Sequence, residues 1–148
     1  SCLTQARYGI AWGAIGAAQA CLDSARQYSL ERSQFGRQLA GFQITQKKLA
    51  EMAVEITKAQ MLAWRLGKLK DDGTMTPTQV AVAKLNNVGI ACEAARVSRE
   101  IHGAMGITDE YPIMRHMMNL ESVKTYEGTN DIHTLAIGKA LTGLSAFT

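Results

Sequence analysis

Apolar side chains recur every three or four positions through most of the chain, and no segment alternates as a half-buried strand would. The pattern predicts a first helix over about residues 2 to 33, with Leu3, Ala6, Ile10, Ala14, Ala17, Cys21, Ala25 and Tyr28 on one stripe. Gly9, Gly13 and Gly16 each cost this helix roughly 1 kcal/mol relative to Ala. Such a cost suits a central helix that another backbone approaches closely. A second helix is expected from about Ile44 to Lys70, its inner stripe Leu49, Met52, Ala53, Ile56, Ala59, Ala63 and Leu66 and its outer face Lys48, Glu51, Glu55 and Lys58. Asp71, Asp72 and Gly73 stop it.

The third helix carries the clearest start signal. Thr76 is placed to cap it, Pro77 suits the first helical position, and Gln79 completes a capping box. Its stripe is Val80, Ala83, Asn87, Ile90, Ala94, Val97 and Ile101, ending at Gly103. Pro112 can open a short fourth helix through about Leu120. The last helix begins near Asn130, with Asp131 complementing the dipole of its first turn, and runs to about Ala146. The expected fold is all-α: an up-and-down four-helix bundle with an additional short helix. At 1.5 Å per residue the first helix spans roughly 45 Å. That length extends a packing surface beyond the bundle itself and favours a homo-oligomer.

Composition narrows the class of function. The 148 residues suit one domain with one core, and 47% hydrophobic against 20% charged residues is the balance of a globular chain. A net charge of +3, evenly spread, points neither to nucleic acid nor to an anionic membrane. No apolar run approaches a membrane span and no signal peptide is present. Cys2, Cys21 and Cys92 form no CxxC pair, which reads as free thiols in a reducing compartment. The chain starts at Ser1 and enters a helix almost at once, as a piece of a longer protein does.

A helical bundle raises the question of a di-iron site, which needs Glu-x-x-His on two helices; the sequence has none. His102, His116 and His133 fall on separate elements without i, i+4 partners, so no metal site is expected. Two short segments carry other chemistry. Tyr126-Glu127-Gly128-Thr129-Asn130-Asp131 places a carboxylate in a loop just before a helix. Gly128 permits close approach to the backbone, and free N–H groups at the helix start can receive a polarised carbonyl. A carboxylate there could abstract a proton while those N–H groups stabilise the oxyanion. Read alone, it is also the ordinary picture of a solvated loop glutamate. Arg32-Ser33-Gln34-Phe35-Gly36 offers a guanidinium suited to phosphate and an aromatic ring suited to stacking, and equally a charged helix end with a Gly cap.

These segments occur together in the order and spacing of one family. Ala6-Arg7-Tyr8-Gly9-Ile10-Ala11-Trp12-Gly13, Glu31-Arg32-Ser33-Gln34-Phe35-Gly36, the pair Gln43 and Gln46, the turn Gly103 to Gly106, and above all Tyr126-Glu127-Gly128-Thr129 resemble the C-terminal domain of acyl-CoA dehydrogenases over essentially the whole chain. Within the family, Arg115-His116, Asn119-Leu120-Glu121, Asp131-Ile132-His133 and Thr142-Gly143 through Ala146-Phe147 resemble the glutaryl-CoA dehydrogenases. The turn departs from the family's Gln-x-x-Gly-Gly-x-Gly at Glu100, Ala104 and Met105.

The resemblance implies one C-terminal helical domain over residues 1–148, working with an N-terminal helical domain and a middle β domain that this chain lacks. It implies Glu127 as the base that removes the α-proton of an acyl-CoA, glutaryl-CoA by preference, with loss of carbon dioxide to give crotonyl-CoA. Arg7, Tyr126 and Gly128 would lie at the substrate. FAD would meet Arg32, Phe35 and Gln43 from a neighbouring subunit, Glu100, Gly103 and Ala104 at its adenosine end, and Thr129, Asn130, Asp131 and Phe147. Electrons would pass to an electron-transfer flavoprotein, in bacterial cytosol or mitochondrial matrix. Two alternatives stay open: another short-chain acyl-CoA as substrate, or, for the chain alone, a helical oligomerisation module without catalysis.

Overall fold

A computed structural model describes residues 2–147. Five α-helices carry the fold: α1 over Cys2–Glu31, α2 over Gln43–Asp71, α3 over Pro77–Ile101, α4 over Ile113–Thr125 and α5 over Asn130–Thr142. The all-α bundle expected from the periodicity is present. α3 packs along α1, α2, α4 and α5, and α1 also meets α2 and α4. The axis of the fold is therefore α3.

The core is built largely from small side chains. Ala14, Ala18, Cys21 and Ala25 of α1 meet Ala91, Ala94 and Ala95 of α3, while Ile15, Met52, Ile56, Ile113 and Leu120 fill the space between helices. A smaller cluster of Ala11, Leu66, Val80 and Ala83 continues it. Alanine allows two helix backbones to approach closely and keeps helix propensity high. Two polar residues inside are partnered across helices: Asn87 donates to the carbonyls of Ala11 at 3.1 Å and Ala59 at 3.4 Å, and Ser98 donates to that of Cys21 at 2.8 Å.

Several expectations need correction. The close approach along α1 comes from its alanines, not from Gly9, Gly13 and Gly16, which have open space where a side chain would stand. Leu3, Ala6 and Ala53 are exposed, because each lies off the face its helix buries. α1 stops at Glu31, and a two-residue antiparallel ladder follows, pairing Ser33–Gln34 (β1) with Arg37–Gln38 (β2). Phe35 and Gly36 form its tip, both with positive φ, so periodicity could not announce it. α4 runs on to Thr125, and α5 ends at Thr142, where Gly143 adopts the left-handed cap at φ 75°. The third helix matches in detail: the Thr76 side chain accepts from Gln79 N–H and the Gln79 side chain accepts from Thr76 N–H.

Candidate active site

Between α4 and α5 the chain reverses in four residues. Glu127 sits at φ 56° and Gly128 at φ 94°, two successive left-handed residues. Thr129 then caps α5, its hydroxyl accepting from Ile132 N–H at 3.3 Å. A left-handed non-Gly residue costs roughly 1–2 kcal/mol, so Glu127 must be held in place. Arg7 Nε, from α1, donates to the Glu127 carbonyl at 2.7 Å. Lys84 Nζ, from α3, donates to the carbonyls of Tyr126 and Gly128, both at 2.6 Å. Three consecutive carbonyls therefore face two cations.

The side chains around this loop are unusual. Lys84 is only 1% exposed, and burial with the charge of Arg7 pushes its ammonium below the ordinary lysine range against the opposing pull of Glu127. His133, on α5, is also 1% exposed; burial, Lys84 and Arg7 push its imidazole below the usual range, against the neighbouring backbone of Glu127 and Gly128. Glu127 Oε2 and His133 Nε2 are buried without a hydrogen-bond partner among the described residues. Unpartnered buried polar atoms are rare in folded chains, and each calls for a water, a ligand or a catalytic role to account for it. Gly128 has no room for a side chain: a Cβ would stand 2.9 Å from His133 Nε2 and 3.4 Å from an Arg7 guanidinium nitrogen.

A groove of about 270 Å³ opens beside the loop between α1 and α4, lined by Ile10, Gly13, Ala17, His116, Val123 and Tyr126 among others. Tyr126 itself is half exposed. The arrangement thus offers one carboxylate, a loop whose carbonyls are all engaged inward, and an adjoining partly apolar slot.

A second cleft, of about 370 Å³, gathers Arg32, Glu100, Gly103 and Ala104 with Lys48 and Gln34. Lys48 pairs with Glu100 at 2.8 Å and holds that carboxyl below its usual range. Below the cleft, His102 is stacked on Tyr28 at 4.5 Å and bonded to Ser98 and Ser24, and its burial pushes the imidazole down. Gly106 closes the turn against the Arg99 backbone, leaving no space for a methyl group.

The residues singled out in the sequence thus divide. Arg7, Tyr126, Glu127 and Gly128 meet at the α4–α5 turn, with Thr129, Asn130 and Asp131 entering α5 beside them. Arg32, Glu100, Gly103 and Ala104 share the second cleft. Phe35 projects from the hairpin tip, 92% exposed, and Gln43 is exposed at the start of α2. Phe147 lies beyond α5, half exposed. Lys84 and His133 were given no role in the sequence. A signal for Lys84 existed: it falls four residues after Val80 and one after Ala83, on the inward stripe of α3, where a charge is out of place.

The family pattern described as "Acyl-CoA dehydrogenase, C-terminal domain" matches residues 1–142. A crystal structure of glutaryl-CoA dehydrogenase from Mycobacterium smegmatis superposes with a TM-score of 0.97 at 56% identity, over 99% of this chain and 38% of that one. A second glutaryl-CoA dehydrogenase structure from the same organism, in complex with FADH2, has a TM-score of 0.97 at 49% identity, again covering 99% of this chain and 38% of the other. The short-chain-specific acyl-CoA dehydrogenase of Megasphaera elsdenii is 36% identical over 135 residues, 91% of this chain and 35% of that protein. The chain therefore spans a little over a third of the length of these relatives.

Proposed function

From the premise that this chain belongs to the acyl-CoA dehydrogenase family and forms its C-terminal helical domain, we propose that Glu127 is the base of an α,β-dehydrogenation of an acyl-CoA thioester. The observation supporting this reading is the buried, unpartnered Glu127 Oε2 on a turn held by three hydrogen bonds from Arg7 and Lys84. A carboxylate without a protein partner is free to take a proton from a substrate carbon placed beside it. The α-proton of a thioester yields to a carboxylate only if the carbonyl is polarised at the same time. In a trans peptide the C=O and N–H point in opposite directions. The Tyr126 carbonyl points to Lys84, so the Glu127 N–H points away from α3, free to donate to a thioester oxygen. Gly128, which makes room for His133 and Arg7 against the turn, would lie at the thioester together with Arg7 and Tyr126.

The family's cofactor is FAD, and the residues here fit part of it. The second cleft presents the Arg32 guanidinium beside Gly103, whose φ of 57° and lack of a side chain admit a close ligand, and the exposed Phe35 ring stands nearby on the hairpin. Arg32, Phe35, Gln43, Glu100, Gly103 and Ala104 would hold its dinucleotide end, and Thr129, Asn130, Asp131 and Phe147 would lie along the rest. When bound, FAD supplies the acceptor for the β-hydrogen. The remaining binding surface is assigned to an N-terminal helical domain and a middle β domain of the full-length protein, and electrons leave to an electron-transfer flavoprotein.

Glutaryl-CoA is the preferred substrate, with loss of carbon dioxide to crotonyl-CoA; the 56% and 49% identity to the Mycobacterium smegmatis glutaryl-CoA dehydrogenases supports it, whereas that of Desulfococcus multivorans, at 36%, is no more similar than the short-chain-specific enzymes at 36–38%. Assembly as a homo-oligomer is supported by α2, where Val54, Met61 and Trp64 are more than half exposed on one face. The test is a panel of acyl-CoA thioesters offered to the full-length enzyme, with flavin absorbance and released carbon dioxide as readouts. Glutaryl-CoA should bleach the flavin fastest and release one carbon dioxide per turnover. Faster reduction by butyryl-CoA, without carbon dioxide from glutaryl-CoA, would move the assignment to the short-chain class.

A further inference from the structure

Lys84 stands out among the charged groups of the chain. Of the described lysines it alone is almost wholly buried, and it forms no ion pair among the described residues. Its acceptors are instead two backbone carbonyls, Tyr126 and Gly128, at 2.6 Å each. These two carbonyls flank the residue proposed as the base, and the one between them is taken by Arg7 at 2.7 Å. A buried lysine is costly unless its donors are satisfied, so this arrangement spends two strong bonds on one short turn.

The consequence follows from peptide geometry. Each carbonyl shares a rigid plane with the following N–H, pointing the other way. Fixing the Tyr126 carbonyl fixes the Glu127 N–H, and fixing the Gly128 carbonyl fixes the Thr129 N–H. Among the described residues the Glu127 N–H has no backbone acceptor. A cation against the oxygen of a peptide also draws electron density through it, which makes the opposite N–H a stronger donor. Resting on the assignment of Glu127 as base, we propose that Lys84 is a positioning residue for the reaction, aiming and polarising the Glu127 N–H that receives the thioester oxygen while holding Glu127 in its left-handed conformation.

A residue that only stabilised the fold would change melting and little else. Lys84 should instead change the electronic state of the bound thioester. The experiment uses the full-length FAD-containing enzyme and the variants Lys84→Met, Lys84→Gln and Glu127→Gln. Flavin reduction by glutaryl-CoA is followed by stopped flow, and the carbonyl stretch of bound crotonyl-CoA, 13C-labelled at C1, by isotope-edited infrared difference spectroscopy.

In Lys84→Met the reduction rate should fall about tenfold or more, with the substrate dissociation constant changed less than about threefold. The carbonyl band should move back towards its position in free crotonyl-CoA. Lys84→Gln keeps a neutral donor and should fall between Met and the native residue; should the Met variant not fold, the Gln variant decides by the same two readouts. Native reduction rate and an unmoved carbonyl band in the folded variants would overturn the proposal, as would a loss confined to substrate affinity. Glu127→Gln separates the two assignments. If that variant reduces its flavin at the native rate, the base reading fails; if it does not, and the Lys84 variants behave as native, only the role of Lys84 fails.

Discussion

Replacing Gly128 by Ala puts a methyl group where the turn has no space for one. Its Cβ would stand 2.9 Å from His133 Nε2, 3.0 Å from His133 Cε1 and 3.4 Å from an Arg7 nitrogen, at a backbone φ of 94°. The left-handed conformation costs an L-residue roughly 1–2 kcal/mol, and crowding a packed site adds roughly 1–3 kcal/mol. Arg7 and Lys84 hold the carbonyls on both sides, so the turn relieves the strain by moving the Glu127 backbone or by pushing the imidazole aside. A displacement near 1 Å costs on the order of 100-fold in rate. In the full-length enzyme, Gly128→Ala should therefore lower flavin reduction by about two orders of magnitude while FAD content stays full. Removing the ring as well, in Gly128→Ala with His133→Ala, leaves only the backbone strain. The double variant should recover part of the loss, a coupling of about 1 kcal/mol or more. Native-rate reduction in Gly128→Ala would refute the reasoning, and strict additivity of the two substitutions would show that His133 is not the obstacle.

Two further outcomes follow from the fold. His102 and His133 both have imidazoles pushed below the ordinary value of 6.5, so the unfolded chain takes up protons first as the pH falls. Their contribution to stability is complete above about 6.5 and is lost as the pH falls through their folded values; urea midpoints should drop between pH 7.5 and 5.5, and a constant midpoint would contradict this. Thr76→Ala removes the hydroxyl that accepts from Gln79 N–H, leaving the backbone half of the α3 capping box, and should cost about 1 kcal/mol in urea unfolding, with Thr76→Ser retaining most of it; equal midpoints for Ala and Ser would remove the cap from the account.

What could be read from the sequence divides along physical lines. Periodicity and local capping chemistry are short-range, and they placed the five helices and the α3 start at Thr76, though not the ends of α1, α4 and α5. The family motif brought Arg7 and Glu127 together although 120 residues separate them. Failures occurred where the decisive interaction is long-range or where the backbone turns left-handed. Gly9, Gly13 and Gly16 suggested a close contact, but which face of α1 meets α3 depends on the partner helix. The hairpin at Phe35–Gly36 and the end of α5 at Gly143 both turn on positive φ. Lys84 carried a local anomaly, a charge on an inward stripe, whose meaning depended on two carbonyls more than 40 residues away.

The central claim is that the carboxylate of Glu127 removes a proton from the substrate. The most direct measurement is rapid mixing of the full-length Glu127→Gln enzyme with glutaryl-CoA, watching the oxidised flavin band. Glutamine keeps the shape of the side chain and cannot accept the proton. The account predicts that the thioester still binds, perturbing the flavin spectrum, and that the band does not bleach; bleaching at the native rate would contradict it.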